Sequence, residues 1–212
     1  MQGAVVLAGG YGTRFGDGDK AVADVAGVPM IRRVISRVAP AVDDIVVNAR
    51  RDQRESIDDA LDDRFSYRFA FDEEHDRGPL AGMATGLDAV DAAYSLVVAC
   101  DMPFVDRRFV ETLFDRATEH EAAIPLERGA DDVWLQPLQA VYETERMAEV
   151  AATALEDDVE SPVTAVETLD YETVPVSVGS SAMAGLTLRN VNTPAELREA
   201  ERHFSRRTSA DR

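Results

Sequence analysis

Five of the chain's 13 glycines fall between Ala8 and Lys20, in the stretch AGGYGTRFGDGDK that follows the short apolar run Gln2–Leu7. A strand that empties into such a turn commits its carboxyl end to close backbone approach. Glycine adopts positive φ without steric cost, and successive N–H groups in turns form a concavity suited to phosphate oxygens. Lys20 closes the stretch and is the only lysine in the chain; every other cation among the 22 Lys and Arg residues is arginine. A position that keeps the one lysine asks for a compact ammonium point charge.

The segments after this loop alternate between short β-like runs and longer amphipathic ones, which predicts an α/β fold. Strands are expected at Ala4–Leu7, Asp44–Val47, Ser66–Phe71, Ser95–Ala99, Ala122–Pro125, Leu138–Tyr142 and Thr173–Val178. Helices are expected at Pro29–Val38, Asp52–Leu61, Pro79–Val90, Asp106–His120, Thr144–Asp157 and about Pro194–Phe204. In the first helix Ile31, Val34, Ile35 and Val38 share a face. Asp52 with Glu55, and Thr193 with Glu196, have the spacing of capping boxes. Glu127–Asp132 and Glu156–Ser161 read as polar loops, and Ser205–Arg212 as a frayed, disordered tail after one domain spanning residues 1–204. Strand–helix–strand units in the first half predict a right-handed parallel sheet with its ligand at the carboxyl ends of the strands. The unusual polar residues fall at those ends: the Gly9 loop, Asn48, Asp72 and Asp101.

Composition narrows the function classes. At 212 residues and 45% hydrophobic, one sizeable core is expected. The longest apolar runs, Ala4–Ala8 and Leu96–Cys100, are far too short for a membrane span, and the N-terminus has neither the basic nor the hydrophobic region of a signal peptide. The single Cys100 cannot form an internal disulfide and reads as a small buried apolar residue, which suggests a cytoplasmic setting. A net charge of −18 argues against nucleic acid as a partner. Acidic residues combined with arginine in place of lysine suggest a halophilic source, because salt screens the self-repulsion. His75, His120 and His203 lack metal-ligand spacing.

Two common phosphate loops do not fit. A Walker loop needs Ser or Thr after its lysine, and Ala21 follows Lys20. The dinucleotide fingerprint misses by one residue between Gly12 and Gly16, and its acidic strand-2 residue is replaced by Asn48. A third pattern does fit. Leu7-Ala8-Gly9-Gly10, Thr13-Arg14-Phe15-Gly16 and Asp19-Lys20 resemble the signature loop of nucleotidyltransferases that activate a phosphorylated small molecule. Further matches are Val47-Asn48-Ala49, Gly78-Pro79-Leu80-Ala81-Gly82, Cys100-Asp101-Met102-Pro103-Phe104, Gln136-Pro137-Leu138 and Asn190-Val191-Asn192-Thr193-Pro194. Together these resemble the molybdenum cofactor guanylyltransferases over nearly the whole chain.

That resemblance implies a single Rossmann-like, three-layer domain of the nucleotide-diphospho-sugar transferase type, with a mostly parallel mixed sheet. It implies GMP transfer from GTP to molybdopterin with Mg²⁺, and molybdenum-insertion or molybdoenzyme maturation proteins as partners. Residue by residue, it implies Lys20, Arg14 and Asp101 as catalytic. GTP would be held by Leu7, Ala8, Gly9, Gly10, Lys20, Asn48, Asp72 and Asp101, with Asp101 the metal ligand and Asp72 accepting from guanine. Asn190 and Asn192 would lie near the acceptor. The rivals are the same fold acting with CTP, or on cobinamide phosphate or a sugar phosphate, and a non-catalytic nucleotide-binding protein.

Overall fold

The computed structural model describes residues 1–10, 19–72, 77–128, 132–176 and 186–210, with side chains as far as Arg206. In chain order the strands and helices are β1 (Gln2–Leu7), β2 (Asp24–Val25), β3 (Val28–Pro29), α1 (Met30–Val38), β4 (Asp44–Ala49), α2 (Arg54–Leu61), β5 (Arg68–Phe71), α3 (Gly78–Ala89), β6 (Tyr94–Ala99), α4 (Arg107–Ala117), β7 (Ala122–Arg128), β8 (Val133–Leu135), β9 (Gln139–Glu143), α5 (Thr144–Glu156), α6 (Pro162–Val166), β10 (Tyr171–Pro175) and α7 (Pro194–Ala210). The main sheet runs β10-β7-β9-β6-β1-β4-β5, and β8 pairs with the outer part of β7. Strands β5, β4, β1 and β6 are parallel, whereas β9 is antiparallel to both β6 and β7. β7 therefore points the same way as β1 and β6.

The four parallel strands are almost continuously apolar, because helices cover both faces. On one face Ala4, Val6, Val47, Leu96 and Val98 pack with Ile31, Val34 and Ile35 of α1 and with Val110 and Leu113 of α4. On the other, Val5, Leu7, Val46 and Val97 meet Leu80, Met83 and Leu87 of α3 and Met147 and Val150 of α5. Gly86 lets α3 sit tightly on the sheet: a Cβ there would lie 2.2 Å from Val5 Cγ1. A third cluster joins Val25, Met30, Phe104, Val191, Ala200 and Phe204, which docks α7 on the edge of the site.

The strands fall close to where alternation and apolar runs predict them, and the differences have local causes. The Asp52–Glu55 box does not form. Asp52 turns outward to Arg50, and α2 is entered through a 3-10 turn in which Gln53 Oε1 accepts from the Arg50 N–H at 2.9 Å. The Thr193–Glu196 box does form, with Glu196 accepting from the Thr193 N–H at 2.9 Å and the Asn192 N–H at 2.7 Å. Asp106 caps α4 through the Arg108 and Phe109 N–H groups. β7 runs on to Arg128 and is met by β8, where a polar loop was expected. α7 continues to Ala210, past the Phe204 at which its periodicity fades. No helix among the described residues is long and apolar enough to cross a membrane.

Candidate active site

The register of the parallel strands aligns the site. Ala70 pairs with Asn48, Asn48 with Leu7, and Leu7 with Ala99, making one row across four strands. Two residues further along stand Asp72, Gly9 and Asp101. The chain reverses its direction of travel across the sheet between β1 and β6, and at such a switch point the loops diverge and leave a crevice. A cavity of about 430 Å³ opens there, lined by Leu7 to Gly10, Lys20, Asn48, Asp72, the Gly78–Gly82 end of α3, Asp101, Leu138 and Asn192 among others. The N-terminus of α3 thus brings its positive dipole end to one wall.

Two polar clusters occupy the cavity. At β6, Lys20 Nζ lies 2.5 Å from Asp101 Oδ2 and 2.5 Å from Asn192 Oδ1. The Lys20 and Asp101 side chains are 13% and 14% exposed, so water screens this pair little. The other oxygen, Asp101 Oδ1, is buried and has no hydrogen-bond partner among the described residues. Asn192 is held by its own backbone, which donates to Glu196, and Val191 N–H donates to Asp101 O at 2.8 Å. Those bonds pull the Glu196 pKa below the usual carboxylate range: the Asn192 N–H is the largest contribution, desolvation opposes it, and the Thr193 hydrogen bonds add to it.

At β4 and β5, Asn48 is 2% exposed and donates from Nδ2 to Asp72 Oδ1 at 2.7 Å and to Ala70 O at 3.4 Å. Gly82 leaves the room that this amide needs: a Cβ there would sit 2.5 Å from Asn48 Oδ1. Cys100 also lines the cavity, and burial and then the adjacent Asp101 charge push its thiol well above the ordinary cysteine range.

The sequence reading did not single out Gln53 or Arg50, and both tie the glycine loop. Gln53 Nε2 donates to Ala8 O at 3.0 Å and to the Asp19 carboxylate at 2.9 and 3.1 Å, joining the residue before the loop to the one before Lys20. Asp19 in turn caps the 3-10 turn Lys20–Val22 through Ala21 N–H. Arg50 Nη1 donates to Gly9 O at 2.8 Å and to Gly10 O at 3.2 Å. Gln53 left one signal in the sequence: it lies on the face of Ile57, Ala60 and Leu61, an amide on an apolar stripe.

Of the residues singled out from sequence, Leu7, Ala8, Gly9, Gly10, Lys20, Asn48, Asp72, Asp101 and Asn192 all line the cavity. Asn190 does not; its side-chain oxygen is buried without a hydrogen-bond partner among the described residues. Arg14 lies outside the described residues.

Comparison with known proteins identifies the family. Residues 4–170 match the MobA-like NTP transferase domain. A probable molybdenum cofactor guanylyltransferase from Natronomonas pharaonis is 44% identical over 201 residues, covering 95% of this chain and 97% of the relative. One from Methanosarcina acetivorans is 34% identical over 205 residues, covering 92% and 87%. Among solved structures, molybdopterin-guanine dinucleotide biosynthesis protein A from Archaeoglobus fulgidus superposes with a TM-score of 0.77 at 26% identity, covering 96% of this chain and 99% of that one. A 2-C-methyl-D-erythritol 4-phosphate cytidylyltransferase from Thermus thermophilus shares the fold at 18% identity and a TM-score of 0.73, covering 95% and 98%. With a family match over most of its length and a 44% identical relative spanning nearly all of it, the chain belongs to the MobA-like NTP transferase family.

Proposed function

We propose that this protein transfers GMP from GTP to the terminal phosphate of molybdopterin, releasing pyrophosphate. The observation that carries this reading is the Lys20–Asp101–Asn192 cluster at the switch point, one strand from the turn that opens the glycine loop. In the reaction an acceptor phosphate oxygen forms a bond to the α-phosphorus. The bond from that phosphorus to the bridging oxygen breaks, and pyrophosphate leaves with the electron pair. Such transfer is governed by positioning and charge neutralisation. The Ala8–Gly10 backbone cradles the triphosphate, and Lys20 leaves Asp101 to neutralise charge on the departing pyrophosphate. Asp72 accepts from the N1–H and amino group of guanine, its carboxylate aimed by Asn48.

Asp101 fits a Mg²⁺ ligand. Among the described residues its Oδ1 is a buried acceptor with no partner, and no trio of His, Cys, Asp or Glu forms a separate metal cage. Magnesium is held in that manner by one or two carboxylates together with substrate phosphates. When bound beside Asp101, it would supply charge stabilisation to the reacting phosphates. The test is pyrophosphate release with each of the four NTPs, Mg²⁺ and molybdopterin, cobinamide phosphate or a sugar phosphate. Release confined to GTP with molybdopterin is expected; turnover with another pair reassigns the substrate.

A further inference from the structure

The acceptor must approach Asp101 from the side opposite the base, towards β9 and β7, and register places one residue there that no motif marks. Leu96 and Ala123 both oppose Val141, so Glu127, four residues beyond Ala123, is level with Cys100, four beyond Leu96. Trp134, the chain's only tryptophan, pairs directly across from Glu127. Glu127 lies two strand spacings from β6, about 10 Å along the carboxyl edge, and Trp134, on the β9 side of β7, lies one spacing nearer. Leu135 packs towards α3 and α5, so Trp134, its neighbour on the strand, faces the other side of the sheet, where the Lys20 turn lies.

Trp134 is not a loose surface residue. Its Nε1 donates to Glu127 Oε2 at 3.0 Å, and Gln136 Nε2 donates to the same oxygen at 2.8 Å. Gln136 N–H is fixed on Pro125 O at 2.9 Å. The indole edge is therefore fastened while 43% of the residue stays exposed, and Leu138, four residues further along the chain, lines the cavity. Glu127 Oε1 takes no hydrogen bond from the described residues. A held aromatic face beside an open carboxylate oxygen suits a flat heteroaromatic ring with lactam and amino N–H groups along one edge.

We propose that Trp134 and Glu127 form the platform for the acceptor's pterin ring, the indole stacking on it and Glu127 Oε1 accepting from its N–H edge. This rests on the guanylyltransferase reading above. The ring sits about 10 Å from Asp101, so that its phosphate reaches the α-phosphorus of GTP. Steady-state rates of the wild type, Trp134→Ala, Trp134→Phe and Glu127→Gln, with GTP and molybdopterin varied separately, test it. Trp134→Ala should raise the KM for molybdopterin about ten- to a hundredfold and leave the KM for GTP unchanged, while Trp134→Phe recovers most of the loss. Emission of the single tryptophan in the wild type should also be quenched by molybdopterin and not by a sugar phosphate. An unchanged molybdopterin KM in an active Trp134→Ala protein, or equal rises in both KM values, overturns the platform and leaves the function standing. A wild type that does not transfer GMP to molybdopterin overturns both.

Discussion

The two halves of the sheet carry their polar residues differently. In the parallel half, β5, β4, β1 and β6 are apolar between the polar residues that open them (Arg68, Asp44, Gln2 and Ser95) and their carboxyl ends, where Asp72, Asn48, Gly9 and Asp101 appear together. In the antiparallel half, polar groups are spread along the strands. Gln139 at the start of β9 is fully buried against Thr187, and Glu127 and Trp134 meet across β7 and β8. A strand covered on both faces can place chemistry only at its end, so the parallel half concentrates it and the antiparallel half disperses it. β6 has a parallel neighbour on one side and an antiparallel one on the other, and Asp101 stands at that seam.

The sharpest way to break this contrast is at the seam. Asp101→Ala should cost about a thousandfold or more in Mg²⁺-dependent turnover, the several kcal/mol that charge stabilisation supplies, with circular dichroism unchanged. Retained turnover would remove the metal assignment. Lys20→Ala should lower kcat by about 10²–10³, the scale of one preorganised donor. A protein that loses only melting temperature would show Lys20 to be structural. Within the parallel half, Gly82→Ala pushes on Asn48 and should raise the KM for GTP about tenfold, from ~1–3 kcal/mol of overpacking, with the KM for the acceptor unmoved.

Gln53→Leu removes the donor to Ala8 O and leaves the Asp19 carboxylate with Ala21 N–H alone among the described residues. It should cost ~1–3 kcal/mol in urea unfolding and lower kcat by displacing Lys20. The smallest effect concerns Glu196, whose pKa is depressed in the folded state. Its contribution is present above the unfolded carboxylate pKa and is lost as the pH falls through the lower folded value. Stability of the wild type should therefore fall in that acid window more steeply than that of Glu196→Gln, as followed by thermal melts against pH.

The same contrast explains what could be read from sequence. Apolar runs ending in polar residues locate β1, β4, β5 and β6, and the motifs at their ends name most of the cavity lining. Elements of two or three residues, β2, β3 and β8, are too short to show a period, and the five residues of α6 complete barely more than one turn. Spacing alone treats Asn190 and Asn192 alike, and only the fold separates them, since the Thr193 cap turns Asn192 towards Lys20. Gln53 was hidden because its partners, Ala8 and Asp19, are distant along the chain, and Asp52 beside it looked the better cap. Trp134 gave no motif because its place depends on the register of three strands.

The resting partners of Lys20 also bear on how the site responds to its ionic medium. On a chain of net charge −18, an isolated ammonium would gather small anions that an incoming polyphosphate had to displace, and its affinity would decline steeply with salt. Here the ammonium is already compensated by Asp101 and Asn192, at distances where mobile ions intervene little. On the proposed function, entry of a nucleotide would exchange one internal partner of Lys20 for another. Such an exchange would set few ions free, and occupancy of the site would then vary little with the salt around it.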